Sequence, residues 1–291
     1  MNIRYPVRDG TFYEGAAATC RHQAQKVIQA AKPPTVVGAA RLYGGLVPHA
    51  GWMYSGRIAA TTFLALSQPQ KEQTFVLLGA DHVGTALRGE VFDSGVWQTP
   101  LGQMPVDDRL AAAILAGGGA LRSNPSAHAH EHSLEVQVPL IQLICPQAKI
   151  VPIQVPPTEE AVEIGRRVGA AVKNYSGSAV IVGSTDLTHH AGHFPAPGGR
   201  GTQGVTWTVK NDRRMLDLIE AMKAEQIVHE ACEHGNACGA GAIAATIAAC
   251  RELGACRGIT QDYSNSYEVI HALYPQESDD TTVGYASVVF A

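Results

Sequence analysis

Short unbroken apolar runs alternate along the chain with stretches in which apolar residues return every three or four positions. Leu42 to Val47, Thr74 to Leu78, Lys149 to Val155 and Ser178 to Gly183 have the length and β-branched content of strands covered on both faces. Helical spacing runs from Ala16 to Ala31, stopping before Pro33-Pro34, and again over Arg57 to Leu66. It returns over Asp107 to Ala116, closed by three glycines, and from Leu134 to Ile144, where Pro139 predicts a kink. Thr158 to Val172, Val209 to Met222 and a small-residue stretch from Cys238 to Leu253 complete the predicted helices. Glu90 to Pro100 reads as a hairpin, and Gly258 to Tyr263 and Thr282 to Phe290 read as closing strands. Tyr5 to Tyr13 reads as an extended arm, and the Pro/Gly-rich segment from Phe194 to Gly204 as a long loop or flap. Alternating strands and helices imply an α/β sandwich around a mostly parallel sheet. With no repeat or linker visible, residues 1–291 are expected to form a single domain.

Composition narrows the function classes. The chain is 45% hydrophobic and 16% charged, which suits a large core under a lightly charged surface. A net charge of -4 without a run of Lys or Arg offers no footprint for nucleic acid. From Met1 to Asp9 there is no apolar signal-peptide core, and no stretch has the roughly 20 apolar residues that cross a bilayer. A cytoplasmic protein without membrane contact is expected. The six cysteines, at Cys20, Cys145, Cys232, Cys238, Cys250 and Cys256, are spaced like neither a disulfide framework nor zinc knuckles, so free thiols are expected.

Histidines fall where chemistry usually does. Three predicted strands run into loops carrying His49, His82 and His189-His190. In open α/β sheets the carboxyl edge is where ligands are held, so these side chains can converge on a metal or catalytic site. Structural histidines bonded to loop carbonyls are the alternative. Cys238 precedes Gly239 at a predicted helix start, where free amides favour a thiolate, a strong ligand for iron, copper or zinc. His128, His130 and His132 alternate, and His132 shares a helix face with Glu135. The expectation there is that His132 and Glu135 orient the site while His128 and His130 are solvated, a second metal site being the alternative.

Several motifs together resemble one family. Pro48-His49-Ala50-Gly51 with Tyr54-Ser55-Gly56, Gly79-Ala80-Asp81-His82, Glu131-His132-Ser133-Leu134-Glu135, Ser184-Thr185-Asp186-Leu187-Thr188-His189 and Cys238-Gly239 occur in the order seen in the Memo family. Arg4-x-Pro6-x-x-x-Gly10-x-Phe12-Tyr13 is similar to that family's opening. Its microbial branch is called AmmeMemoRadiSam system protein B. The resemblance implies the fold of class III extradiol dioxygenases and a divalent metal, Fe(II) first and copper or zinc otherwise, held by His49, His82 and Cys238. It places Asp186 and His189 in the same pocket, His189 at the acid/base position, with Tyr54 near the mouth. The implied activity is a redox or dioxygenase-like step on a small molecule. Alternatives are a non-catalytic adaptor binding a partner peptide in that pocket, and a zinc hydrolase using Asp186 as base. AMMECR-domain and radical-SAM proteins are the implied partners.

Overall fold

The computed structural model describes residues 2–33, 41–84 and 86–291. Met1 and Pro34, named above, lie outside them. In chain order the elements are β1 (Ile3–Arg4), α1 (Ala17–Gln29), β2 (Gly44–Val47), α2 (Trp52–Leu66), β3 (Gln73–Gly79), β4 (Gly89–Val91), β5 (Val96–Thr99) and β6 (Gly102–Pro105). Next come α3 (Asp108–Leu115), β7 (Leu121–Ser123), α4 (Val138–Ile144), β8 (Lys149–Gln154), α5 (Glu160–Lys173), β9 (Ser178–Ser184) and β10 (His189–His190). The last are α6 (Gly201–Glu220), α7 (Ala224–His234), α8 (Ala240–Leu253), β11 (Gly258–Asn265), α9 (Ser266–Leu273) and β12 (Thr282–Phe290).

Among the described residues the main sheet runs β10-β12-β2-β9-β3-β8-β4-β7, with β11 also paired to β12. Its centre, β2, β9, β3 and β8, is parallel throughout. The flanks are antiparallel where β12 meets β2 and β4 meets β8. The expected α/β sandwich around a mostly parallel sheet is therefore what forms. Alternate residues of each central strand feed opposite cores, as the two-residue period of a pleated strand requires. Val76 and Leu78 of β3 join Val151, Ile181 and the helices α3, α5 and α8 on one face. Phe75 and Leu77 join Val180, Val182 and the helices α1, α2 and α4 on the other. On the first face α5 and α8 approach backbone to backbone: a Cβ at Gly165 would lie 2.2 Å from the carbonyl oxygen of Ala245. The Ala/Gly composition of α8 is thus a packing requirement.

Several expected elements differ. The predicted hairpin over Glu90 to Pro100 does not form. β4 joins the main sheet beside β8 and β7, while β5 turns at Pro100-Leu101 to pair with β6 in a small sheet that also takes β1. The Pro139 kink is absent, because a 3-10 turn at Glu135–Gln137 comes first and the α-helix starts at Val138. Pro139 then sits in the first turn, where its missing N–H costs nothing. α2 starts at Trp52, earlier than Arg57, and α6 starts at Gly201, which shortens the predicted flap. The segment from Tyr5 to Tyr13 is bent and turned rather than extended, with Gly10 N–H donating to the Tyr13 carbonyl (2.7 Å), and Tyr13 is buried in the core instead of lying outside it.

Candidate metal centre

The carboxyl ends of β2, β9 and β3 lie side by side. The chain leaves β2 at Val47 and delivers His49 two residues later, leaves β3 at Gly79 and delivers His82, and leaves β9 at Ser184 and delivers Asp186. Cys238 comes from the start of α8, tied to the β9 loop by Cys238 N–H donating to the Asp186 carbonyl (3.3 Å) and Gly239 N–H to Thr185 Oγ1 (3.0 Å). Gly239 permits this approach, since a Cβ there would lie 2.6 Å from the Ser184 carbonyl oxygen. One donor atom from each of His49, His82 and Cys238 lies within 4.8 Å of the others, and Cys238 Sγ is 3.2 Å from His49 Nε2.

Hydrogen bonds fix which ring nitrogens face this point. Ser184 Oγ gives its single hydrogen to the Ser133 carbonyl (2.7 Å), so His49 Nδ1, 3.0 Å from the same oxygen, must be the donor. Its Nε2 is left as a lone pair directed at the cysteine. His82 Nδ1 lies 3.0 Å from Glu131 Oε1. Burial works against the Glu131 charge, but bonds from the His82 ring and amide and from the Ser133 amide outweigh it and hold the carboxyl well below its usual range. An ionised Glu131 makes His82 Nδ1 a donor and leaves its Nε2 for Cys238; burial works against a charge on this ring, but the Cys238 and Glu131 partners outweigh it and raise its pKa to about 10. Two imidazoles oriented by outer partners and presenting Nε2, beside one thiol, are a donor set suited to zinc, iron or copper. Burial pushes the Cys238 thiol up, so a bound cation is what would favour its thiolate.

His132, Glu131 and His82 form a second group with metal-ligand spacing. Glu131 is already saturated there: Oε2 accepts the His82 amide, and Oε1 accepts the His82 ring and the amides of His132 and Ser133. His132 instead stacks on His82, with ring centroids 4.7 Å apart, and meets Phe12 edge-on at 5.1 Å. Burial and the neighbouring His82 lower its pKa to about 4, so it is neutral at pH 7.

Glu135 does something other than orient these rings. Its carboxylate pairs with Arg4 (2.5 Å) and accepts the Val7 and Arg8 amides and the Tyr13 hydroxyl, pinning the amino-terminal arm. His128 is buried, contrary to the expected solvated side chain: its Nε2 meets the Glu90 carbonyl at 2.9 Å among Phe92 and Trp97. His130 is exposed, as expected.

His49 and His82 of the cluster line a cavity of about 500 Å³ that also takes in Tyr54, Asp186 and His189. Asp186 accepts the His49 amide through Oδ1 (2.7 Å), and burial raises its carboxyl to about 7 despite that bond. His189 donates Nδ1–H to the Leu187 carbonyl (3.1 Å), and burial lowers its pKa, leaving a neutral ring with a free Nε2. Phe12, Phe194, Ser266, Asp279 and Tyr285 also line the cavity, and sequence reasoning assigned none of them to it. Glu131 and Ser184 were missed as orienting groups, although both stand inside motifs already singled out. The chain carries no helix, among the described residues, long and apolar enough to cross a membrane, and its six cysteines are all unbridged.

Fold and site define an α/β protein with a His/His/Cys cluster at the carboxyl edge of a mostly parallel sheet. A family model described as Memo-like protein matches residues 4–289, and the chain belongs to the Memo family. It is similar to a MEMO1 family protein of Pyrobaculum aerophilum, 32% identical over all of this chain and 99% of that one. A MEMO1 family protein of Thermococcus onnurineus is 33% identical over 99% of each chain, and one of Methanothermobacter thermautotrophicus 33% over 92% of this chain and 95% of the other. Among solved structures, an uncharacterized protein of Escherichia coli K12 aligns over 86% of this chain and all of its own, with a TM-score of 0.49 and 12% identity.

Proposed function

We propose that this Memo family chain is a metal-dependent redox enzyme acting on a small molecule, with His49, His82 and Cys238 as the ligands of one divalent ion. The observation that carries this is the pair of imidazoles oriented by outer partners beside a partly buried thiol, both imidazoles lining one cavity. A mixed imidazole and thiolate set suits Fe(II) first and copper second, and an ion bound there would polarise the small molecule and exchange electrons with it. The chain's own residues supply the rest. His82, the most open of the three, leaves the cavity side of the cluster free for a ligand. Asp186, with a carboxyl near pH 7, can give or take a proton at Oδ2 while Oδ1 holds the His49 amide. His189 Nε2 is a further acceptor in the same cavity, and Phe12 with Tyr285 makes part of its lining apolar. The unbridged cysteines support a reducing, cytoplasmic setting.

The test is metal analysis of anaerobically purified protein beside the His49→Ala/Cys238→Ser double variant. About one equivalent of iron or copper per chain is expected, falling to background in the double variant. Unchanged metal in that variant overturns the ligand assignment. Stoichiometric zinc with no oxygen uptake turns the reading toward hydrolysis with Asp186 as base.

A further inference from the structure

The walls of the same cavity carry information about charge that the metal cluster does not use. Among the described residues none of those lining it is Lys or Arg. Four aromatic rings do line it, those of Phe12, Tyr54, Phe194 and Tyr285, and the carboxylate of Asp279 stands with them. Asp279 is held in place by its own neighbour: Oδ1 accepts both the amide (2.9 Å) and the hydroxyl (2.6 Å) of Thr281. Tyr54 feels this side of the cavity. Burial and then the charges of Asp279 and Glu277 push its hydroxyl pKa up.

Of the cations in the adjoining segments, neither Arg200 nor Arg8 lines the cavity. Arg200 pairs with Asp280 at 3.1 Å, and Arg8 lies over the Phe12 ring at 5.3 Å, outside the lining. His49, His82, His132, His189 and His193 line the cavity as well, and His82 is paired with the Glu131 carboxylate at the metal end. A carboxylate, sulfonate or phosphate on a ligand would therefore find aromatic faces and like charge away from the metal end. An ammonium would find the opposite: aromatic faces attract cations through their negative π-clouds, and a fixed carboxylate completes the pairing.

We infer that the cavity selects a small amine-bearing ligand with an aromatic or otherwise apolar body, whose ammonium lies against Asp279 and the Tyr54 and Phe194 rings while its other end reaches the His/His/Cys cluster. This specificity rests on the proposed function only for what happens at the cluster. Recognition by the walls needs neither a metal nor turnover.

Three ligands of matched size and shape separate the two questions: tyramine, 4-ethylphenol and 4-hydroxyphenylacetate carry an ammonium, no charge and a carboxylate on the same phenol. Calorimetric or fluorescence titration is made with the protein as purified, with Asp279→Asn, and with the chelator-treated His49→Ala/Cys238→Ser variant. Tyramine is expected to bind about tenfold more tightly than 4-ethylphenol, with 4-hydroxyphenylacetate weakest. Asp279→Asn should remove most of that preference, weakening tyramine about tenfold while moving 4-ethylphenol less than about twofold. Metal loss in the double variant should weaken all three alike and leave the order intact, so failure of the metal reading does not disturb this one. The inference is overturned if 4-hydroxyphenylacetate matches or exceeds tyramine, if the preference survives Asp279→Asn, or if tyramine shows no binding up to about 5 mM.

Discussion

At the scale of single residues, the position of His82 depends on one carboxylate. Glu131 accepts both the ring Nδ1–H and the backbone amide of His82, so it sets the orientation of the imidazole and the path of the loop that carries it. Glu131→Gln keeps the size and can still accept two of these bonds, but removes the charge that makes Nδ1 a donor. Partners of this kind typically contribute 10- to 100-fold in metal affinity. Glu131→Gln is therefore expected to weaken metal binding by roughly that factor in a chelator competition, with far-ultraviolet circular dichroism unchanged; an affinity within about twofold of the wild type would show that the loop alone places the ring. The candidate ligands were legible because His49 and His82 stand just beyond apolar runs and Cys238 precedes a glycine at a helix start. Glu131 was not, since two glutamates flank His132-Ser133-Leu134 and only the three-dimensional path shows which one turns toward the rings. The arm decides it: Arg4 claims Glu135, and its guanidinium also donates to the Glu131 and His128 carbonyls. The burial of His128 follows from the same arm, which packs Arg4 over Trp97 beside it.

At the scale of elements, the half of the molecule beyond β9 was read least completely, and the reasons are local. α7 does carry apolar positions at Ala224, Ile227, Val228 and Ala231, a helical stripe, but the surrounding charge masks it. α9 announces itself only through its cap, Asn265 accepting the Glu268 amide at 2.9 Å. The strands that order the sheet were found because both their faces are buried. Their edge partners, β7 and β10, are too short to show a period. α6 is joined to the sheet through Asp212, which is buried and accepts the Thr188 amide (2.9 Å) and the Tyr263 hydroxyl (2.6 Å). Burial outweighs those bonds and pushes its carboxyl up to about 6. Because this is above the unfolded value, stability is fully present below about pH 4 and is lost as pH rises through 6. Asp212→Asn should abolish that component. The variant is expected to gain roughly 2 to 3 kcal/mol relative to the wild type between pH 4 and pH 7, read from denaturant midpoints at each pH. A constant difference across that range would mean that Asp212 does not titrate in the folded protein.

At the scale of the whole molecule, the candidate ligands come from positions far apart in the chain: His49 follows β2, His82 follows β3, and Cys238 precedes α8. An ion held by all three closes loops that the unfolded chain cannot close, so it binds the folded state preferentially and its affinity adds to stability. At 100 times the dissociation constant this linkage contributes about 2.7 kcal/mol. For a chain of this size each kcal/mol moves Tm by roughly 2 to 4 °C, so Fe(II) added anaerobically to chelator-treated protein is expected to raise Tm by about 5 to 10 °C. The same addition to His49→Ala/Cys238→Ser should leave Tm unchanged. Asp279→Asn should keep the full rise, because Asp279 belongs to the cavity wall and not to the cluster. An equal rise in the double variant would place the ion elsewhere and sink the cluster as its site. If Asp279→Asn lost the rise, wall and cluster would be one coupled unit, and charge selection by the cavity would have to be measured on metal-loaded protein alone.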